Sequence, residues 1–507
     1  MCGLICAWGP NSASIVANGL VKMQHRGPDG ASSYQFGELN LGFVRLSIND
    51  HSGTAMQPIN CGDLWGAFNC EIYNYEHLRT EHEISQAVGS DAAVILPLFA
   101  KNPFKILNQL RGFFSGVIYD AKNKKLYTLR DAIGQKPLFL ARSGRTYILT
   151  SELKSCPELD AFEEVPLGLC QISLQGGEFR PLAVSLPSPA CPADGSLADI
   201  LFQSVNMRTR SQDDSAFGVF LSGGLDSSII AALVNKSDAK ENARYYFFDD
   251  ATSQDTVYAK EVLSFLEISN CQLRPVSLPS PSEVKELIDN VVYHTESYNP
   301  SIISNGLGSY ILSRAAHRDG LKFALGGDGA DEVFCGYFDF KRHEDWMGSR
   351  DRLLRDLPRT EMRRVDMASM ANSIEVRSPY LDAAVIRFAD SLQFQDFYDI
   401  KEKPPIRKLV LRETFKDILP VSVTWRRKLS FDLGSGLQRL VYNICAASGH
   451  TETQHLKSIW WDHFHATLGK LGEDSYFHSY SAFDKYIGRR GEKFGGTAGH
   501  QSREIKC

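Results

Sequence analysis

A cysteine stands second in the chain, in the opening stretch MCGLICAWGP. Loss of Met1 would leave Cys2 carrying a thiol and a free α-amine on one residue. An unperturbed α-amine titrates near ~8, within reach of a proton-shuttling role at neutral pH. A thiol needs a base beside it to become a strong nucleophile, and a terminal amine can be that base. Position 2 also tolerates any small residue for its size alone, so the decapeptide leaves nucleophile and bystander both open.

A second constellation lies at VFLSGGLDSSII. Gly223 and Gly224 let the backbone approach an anion closely. Ser222, Ser227 and Ser228 offer hydroxyl donors, and the helix that follows points free N–H groups at the same spot. Asp226 would repel a bare phosphate, so its presence points to a bridging Mg²⁺. No G-K-[ST] follows, so this is not a Walker A loop. A third stretch, FALGGDGADEVFCGY, repeats the order of short strand, glycines and acids. There Asp331 is placed to hold Mg²⁺ against a pyrophosphate, and Asp328 to act as an acid–base group beside a reacting carbonyl. A lone Gly-Gly turn is an ordinary β–α turn, but S-G-G-L-D-S between strand and helix is a stronger signal; the second loop alone reads as an acidic turn, and paired with the first it reads as part of a nucleotide site.

At least two folding units must hold these residues, because 507 residues exceed one ordinary core. In the first part, short runs such as KLYTLR and TYILTSE alternate with Gly-rich turns and imply β-rich layers, with SDAAVILPLFAK and PFKILNQLRG as intervening helices. Further on, apolar strands alternate with longer helical patterns, the α/β habit. FGVF reads as a buried strand running into glycines, and LDSSIIAALVNK as the start of a helix. The expected division is a first domain over 1–182, a Pro-rich linker over 183–196, a second domain over 197–490 and a charged, Gly-rich mobile tail over 491–507.

Composition excludes some partners. The chain is 43% hydrophobic and 23% charged with a net charge of -5, without the basic excess of a general nucleic-acid binder. No apolar run is long enough to span a bilayer, and no basic n-region precedes an apolar stretch as in a secretory signal. A cytoplasmic protein with neither nucleic-acid nor membrane partners is expected. The 11 cysteines are odd in number and form no C-x-x-C pair, which suits a reducing compartment. His455, His463, His465 and His478 gather around WWDHFHATLG, where packed or solvated helix histidines explain them better than zinc.

Taken together, the motifs resemble the glutamine-hydrolysing asparagine synthetase family. MCGL, HRGPDG, VRLSI, NCEIYN, GSD, RDAIGQKPLF, LSGGLDSS, GGDGADEVFCGY, MASMANSIEVRSPYLD and WRRK occur in family order, from Cys2 to about Gly436. The resemblance implies an N-terminal Ntn-hydrolase αββα sandwich that releases ammonia from glutamine. It also implies an α/β ATP-pyrophosphatase domain with extra helices, an internal ammonia tunnel, and ATP with Mg²⁺. Cys2 matches the nucleophile, Arg45 the reader of the glutamine carboxylate and Asp91 the reader of its ammonium. Asn69 matches the oxyanion-hole side chain, with Glu71 in the same wall. His25, Arg26 and Asp29 are expected to hold the pocket loop. Ser222, Gly223, Gly224, Asp226, Ser227 and Asp331 match the pyrophosphate and Mg²⁺ positions, and Leu221, Gly326 and Gly327 nucleotide contacts. Lys428 matches the lysine that stabilises charge on the α-phosphate. A homodimer is compatible with the family.

Two departures bear on function. The family reads N-G-E-I-Y-N where this chain reads NCEIYN, so Cys70 supplies the second oxyanion N–H. A positive φ there would strain it, and its side chain would crowd the pocket. In the acceptor region, TESYNPSIISNGLGSY places Ser304 where asparagine synthetases carry an arginine. Glu375 is expected nearby, as buried scaffolding of the acceptor pocket. E-S-x-x-P-x-I-I is similar to β-lactam synthetases, which close a ring with an internal amine and need no ammonia. The retained Cys2, Arg45, Asn69 and Asp91, with a carboxylate at Asp328 where lactam formers carry tyrosine, favour an external-nitrogen amide former. Its acceptor is aspartate or a related small carboxylate, with intramolecular lactam formation as the alternative. A silent scaffold would have lost one of these motifs, and none is lost.

Overall fold

Two six-stranded antiparallel sheets face each other across the first part of the chain. The computed structural model describes residues 2–85, 89–184, 195–211, 215–251, 253–337, 346–402 and 405–469. Most of the expected linker and all of the expected tail lie outside these residues. One sheet runs Ala161–Glu164, Phe139–Ser143, Thr146–Thr150, Gly3–Trp8, Leu39–Arg45, Gly30–Phe36 from edge to edge; the other runs Phe179–Ala183, Gly168–Ile172, Lys125–Arg130, Gly112–Asp120, Leu64–Ile72, Ile59–Cys61. Gly3–Trp8 is buried along its whole length because its alternate residues enter two cores. Leu4, Cys6 and Trp8 pack with Ala67 and Val117 of the facing sheet. Ile5 and Ala7 pack with Val16 of the outer helix Ser12–Lys22. Leu64–Ile72 divides the same way, with Ala67 facing inward and Phe68 and Ile72 against Ile95 and Leu98 of the helix Ile95–Lys101. Helix, sheet, sheet, helix is the layer order that two half-apolar sheets require, and it is the αββα sandwich expected.

The second part is built on a five-stranded parallel sheet in the order Leu273–Val276, Ala243–Phe248, Phe217–Phe220, Phe323–Leu325, Glu375–Arg377. Phe217–Phe220 feeds directly into the helix Leu225–Asn235, as LSGGLDSS implied. Its neighbour Phe323–Leu325 ends in the GGDGADE loop. Both loops therefore lie at the carboxyl ends of adjacent strands, where open α/β sheets bind ligands. Helices Pro281–Thr295, Pro300–Arg318 and Glu452–Leu468 add an apolar layer beyond this sheet.

The two parts meet along an ionic seam. Arg26, fully buried, donates to Glu152 in the first part and to Asp366 in the second, at 2.8 Å each. Lys136 reaches the other oxygen of Asp366 at 3.1 Å, and Arg111 forks onto Asp382 at 2.9 and 3.2 Å. Asp29 accepts from the Ser47 amide and from Lys322, both at 2.7 Å, so HRGPDG holds its loop as expected. Removing one partner of a buried pair leaves an uncompensated charge, at a cost of about 3–5 kcal/mol. Lys136 and Lys154 still serve the two carboxylates, so Arg26→Met is expected at the lower end, about 3 kcal/mol. The urea midpoint measures it, and an unchanged midpoint would show the seam to be dispensable.

Candidate active sites

The inward face of Leu64–Ile72 places Asn69 against the start of Gly3–Trp8. The Cys2 amide donates to Asn69 Oδ1 at 3.2 Å, and the Cys2 carbonyl accepts from Arg26 Nε at 3.0 Å. Asn69 is fully buried, and its Nδ2 has no hydrogen-bond partner. A buried N–H without an acceptor is costly, and it is the kind of donor an oxyanion would satisfy. A small cavity opens over Cys2, walled by Arg45, Cys70, Glu71, Asp91 and Glu375. The Arg45 guanidinium is buried and steadied by the carbonyls of Asp50 and Ser52. Asp91 accepts from the Ile72 amide at 2.7 Å, and burial pushes its carboxyl above the usual range.

Cys70 is an ordinary strand residue and is not among the positive-φ positions, so the backbone asks for no glycine and the expected strain is absent. Its thiol does enter the cavity, 3.7 Å from Asp91 Oδ2. Glu375, expected at the acceptor pocket, lines the cavity over Cys2. The strand Glu375–Arg377 lies at the sheet edge and faces the first part across the seam. Arg377, fully buried, donates to Glu375 at 2.7 Å and to Glu71 at 3.0 Å. One guanidinium cannot neutralise two carboxylates fully. Burial works against ionisation of both; at Glu375 the chain-terminal ammonium, Arg377 and Lys136 outweigh it and hold the carboxyl below the usual range, whereas burial lifts Glu71 above it.

In the other site, the serines hold the first loop in shape. Ser227 Oγ accepts from the Ser222 amide at 3.1 Å and lies 3.0 Å from Ser222 Oγ. Gly223 has φ +68°, and a Cβ there would sit 2.5 Å from the Ala259 nitrogen, so only glycine fits. Leu221 and Gly326 end adjacent strands and spend their amides on sheet carbonyls, Tyr246 and Arg377 respectively. Gly327 packs against the second loop's counterpart, where a Cβ would meet the Ser227 nitrogen at 2.9 Å. Asp226 and Asp331 face each other across lysines. Lys408 Nζ is 2.6 Å from Asp226 Oδ2 and 2.6 Å from Asp331 Oδ1, and Lys428 Nζ is 2.5 Å from Asp331 Oδ2. Burial opposes it, but these two lysines hold the Asp331 carboxyl well below the usual range. Asp328 pairs with Arg364 at 3.3 Å, and burial raises its carboxyl.

The family model of a glutamine amidotransferase domain matches residues 1–166, and that of asparagine synthase matches residues 196–361 and 351–467. The chain belongs to the glutamine-hydrolysing asparagine synthetase family. Among curated relatives, asparagine synthetase B of Escherichia coli K12 is 31% identical over 441 residues, covering 82% of this chain and 78% of its own. The Brassica oleracea asparagine synthetase is 29% identical over 86% of this chain and 78% of its own. A probable asparagine synthetase of Acanthamoeba polyphaga mimivirus is 28% identical over 85% of each.

Within this asparagine synthetase framework, Lys408 is the site residue that motif reading missed. Its sequence surroundings, PPIRKLVL, look like any basic turn. Ser304 makes a bond of its own. It is fully buried in the helix Pro300–Arg318, and its hydroxyl donates to Asp432 Oδ2 at 2.6 Å. That bond ties the helix to the segment just after Lys428. Within Glu452–Leu468, His463 lies 3.1 Å from Asp289, and His478 lies outside the described residues. Among the described residues, no group of three or more His, Cys, Asp and Glu is placed to hold a metal, and no helix is long and apolar enough to cross a membrane.

Proposed function

We propose that residues 1–182 form a glutaminase and residues 197–490 a synthetase, and that together they convert glutamine, ATP and aspartate or a related small carboxylate into the amide, glutamate, AMP and pyrophosphate. The observation that carries this reading is that one cavity joins Cys2 to Glu375, so the glutamine site is finished by a residue of the synthetase half. In this scheme the Cys2 thiolate attacks the glutamine amide carbon. The oxyanion is held by Asn69 Nδ2 and the Cys70 amide, ammonia leaves, and water releases glutamate from the thioester. Arg45 pairs with the substrate carboxylate and Asp91 with its ammonium.

Ammonia then crosses the seam. Leu46, Ile48, Tyr73, Phe113 and Ile133 share one apolar cluster with Leu221 and Leu325 of the synthetase sheet, a path that suits a neutral molecule. The acceptor carboxylate attacks the α-phosphorus of ATP and displaces pyrophosphate onto the Ser222–Ser227 loop. Lys428 offsets the charge on the α-phosphate. Ammonia attacks the acyl carbon and AMP departs, with Asp328 placed to take the proton; its raised carboxyl is tuned toward that work.

Asp226 and Asp331 would hold Mg²⁺. The donor set fits, since Asp226 Oδ1 is buried without a hydrogen-bond partner and carboxylate oxygens suit a hard cation. When bound, the ion would neutralise phosphate charge. Lactam closure is not retained: it uses no external ammonia and leaves the whole Cys2 cavity without a purpose. The test is product identification with ATP, glutamine and aspartate. Asparagine, glutamate, AMP and pyrophosphate in equal amounts are expected; ADP with orthophosphate would contradict the reading, and absence of asparagine would shift the acceptor to another carboxylate.

A further inference from the structure

We propose that Lys408 is a built-in stand-in for a metal ion: it fills the cation position between Asp226 and Asp331 in the free enzyme, so that a divalent cation enters only together with a nucleotide. The proposal rests on the reading of these loops as the ATP site.

Lys408 bridges the two carboxylates at 2.6 Å each, and its side chain is 3% exposed. Two features of the fold serve that placement. Its backbone has φ +55°, a left-handed conformation that disfavours a residue with a Cβ. Gly336 stands directly beside it: a Cβ there would lie 2.3 Å from Lys408 Cε and 1.8 Å from Asp331 Oδ1. The neighbouring segment is fastened as well, with Arg407 donating to the Gly336 carbonyl at 2.9 Å. Lys428 differs in every respect. It is 27% exposed, lies on the outer oxygen of Asp331 and is 3.9 Å from Asp226.

Two carboxylates and two lysines sum to zero charge. A lone divalent cation would have to displace a buried lysine or add two charges to a neutral set. Two carboxylates are also a thin donor set, and Mg²⁺ characteristically binds one or two carboxylates plus substrate phosphates. A nucleotide changes both terms. Its phosphates give Lys408 a new partner within reach of a flexible four-carbon stem, and they complete the shell of the arriving ion. Lys408 is thus a positioning residue that keeps the carboxylates spaced and makes metal entry depend on the nucleotide.

The test is Mn²⁺ binding to the full chain, read from the electron paramagnetic resonance signal of free Mn²⁺, with and without an α,β-methylene ATP analogue. Measured against Mn²⁺ with the same analogue and no protein, wild type is expected to bind Mn²⁺ at least about tenfold more tightly with the analogue than without it. K408M, without nucleotide, is expected to bind Mn²⁺ at least about tenfold more tightly than wild type does alone, and K408R to behave as wild type. K408Q replaces K408M should the latter fail to fold. Equal Mn²⁺ affinity with and without the analogue in wild type, or no gain in the neutral variants, overturns the proposal. Analogue binding itself reports separately on the ATP reading, whereas the K408M arm uses no nucleotide and judges Lys408 even if that reading fails.

Discussion

Cys2→Ala is expected to lower amide formation from glutamine by more than about a thousandfold while leaving formation from ammonium salt essentially unchanged. The argument is spatial. Cys2 lies in the glutaminase cavity, and its amide is fixed by Asn69, whereas the nucleotide loops lie at the far ends of another sheet. Burial raises the Cys2 thiol above its ordinary value, so at neutral pH it needs a base. In the proposed scheme that base is the α-amine exposed by loss of Met1, whose neutral form must be present; glutaminase activity should therefore rise with pH through the amine's titration. Glutamate release and amide formation are measured together, and intact mass reports Met1. Full glutamine-dependent activity in Cys2→Ala, or an active protein that retains Met1, would sink the assignment. Product formed by Cys2→Ala with neither nitrogen source would bring back the lactam reading.

What could be read from the sequence was mainly what is local. SGGLDSS announces strand, turn and helix within a dozen residues, because glycine conformations and serine donors act over that range. Short strands such as FGVF and KLYTLR are legible for the same reason. Lys408 was not, because its meaning comes from Asp226, 182 positions away. That Glu375 also lines the Cys2 cavity is not legible either, because its sequence neighbours belong to the second part, while its carboxylate looks across a seam closed by pairs such as Arg26–Asp366, 340 positions apart. At Cys70 the sequence leaves open whether the backbone takes a glycine conformation. The strand Leu64–Ile72 pairs continuously with Gly112–Asp120 through that position, so ladder geometry sets φ there and not the residue type.

Ser304 shows a different limit. Its position was matched to a substrate-reading arginine, yet the helix that carries it turns its hydroxyl toward Asp432, and both side chains are buried. The Ser304–Asp432 bond ties this helix to the segment four residues beyond Lys428.

Lys428→Met is expected to lower amide formation by about a hundred- to a thousandfold, from glutamine and from ammonium alike, the usual cost of removing one aimed donor from a developing charge. The pattern is the opposite of that for Cys2→Ala. Glutamine hydrolysis continues, so glutamate accumulates without product and the ratio of glutamate to amide climbs. Lys428 keeps a charged pair with Asp331 in the free protein, but it is 27% exposed. Its loss therefore strains the fold less than loss of a fully buried partner would, and the folded state remains available for assay. Lys428→Arg keeps the charge but presents a planar fork in place of a compact ammonium, so rescue should be partial. The decisive measurement is ATP–pyrophosphate exchange with aspartate and no nitrogen source. If exchange survives in Lys428→Met while amide formation falls, the lysine acts after adenylation. If both survive, Lys428 is only a counter-ion to Asp331. Loss of exchange together with amide places it at the α-phosphate, where the short contact to Asp331 is given up for the substrate.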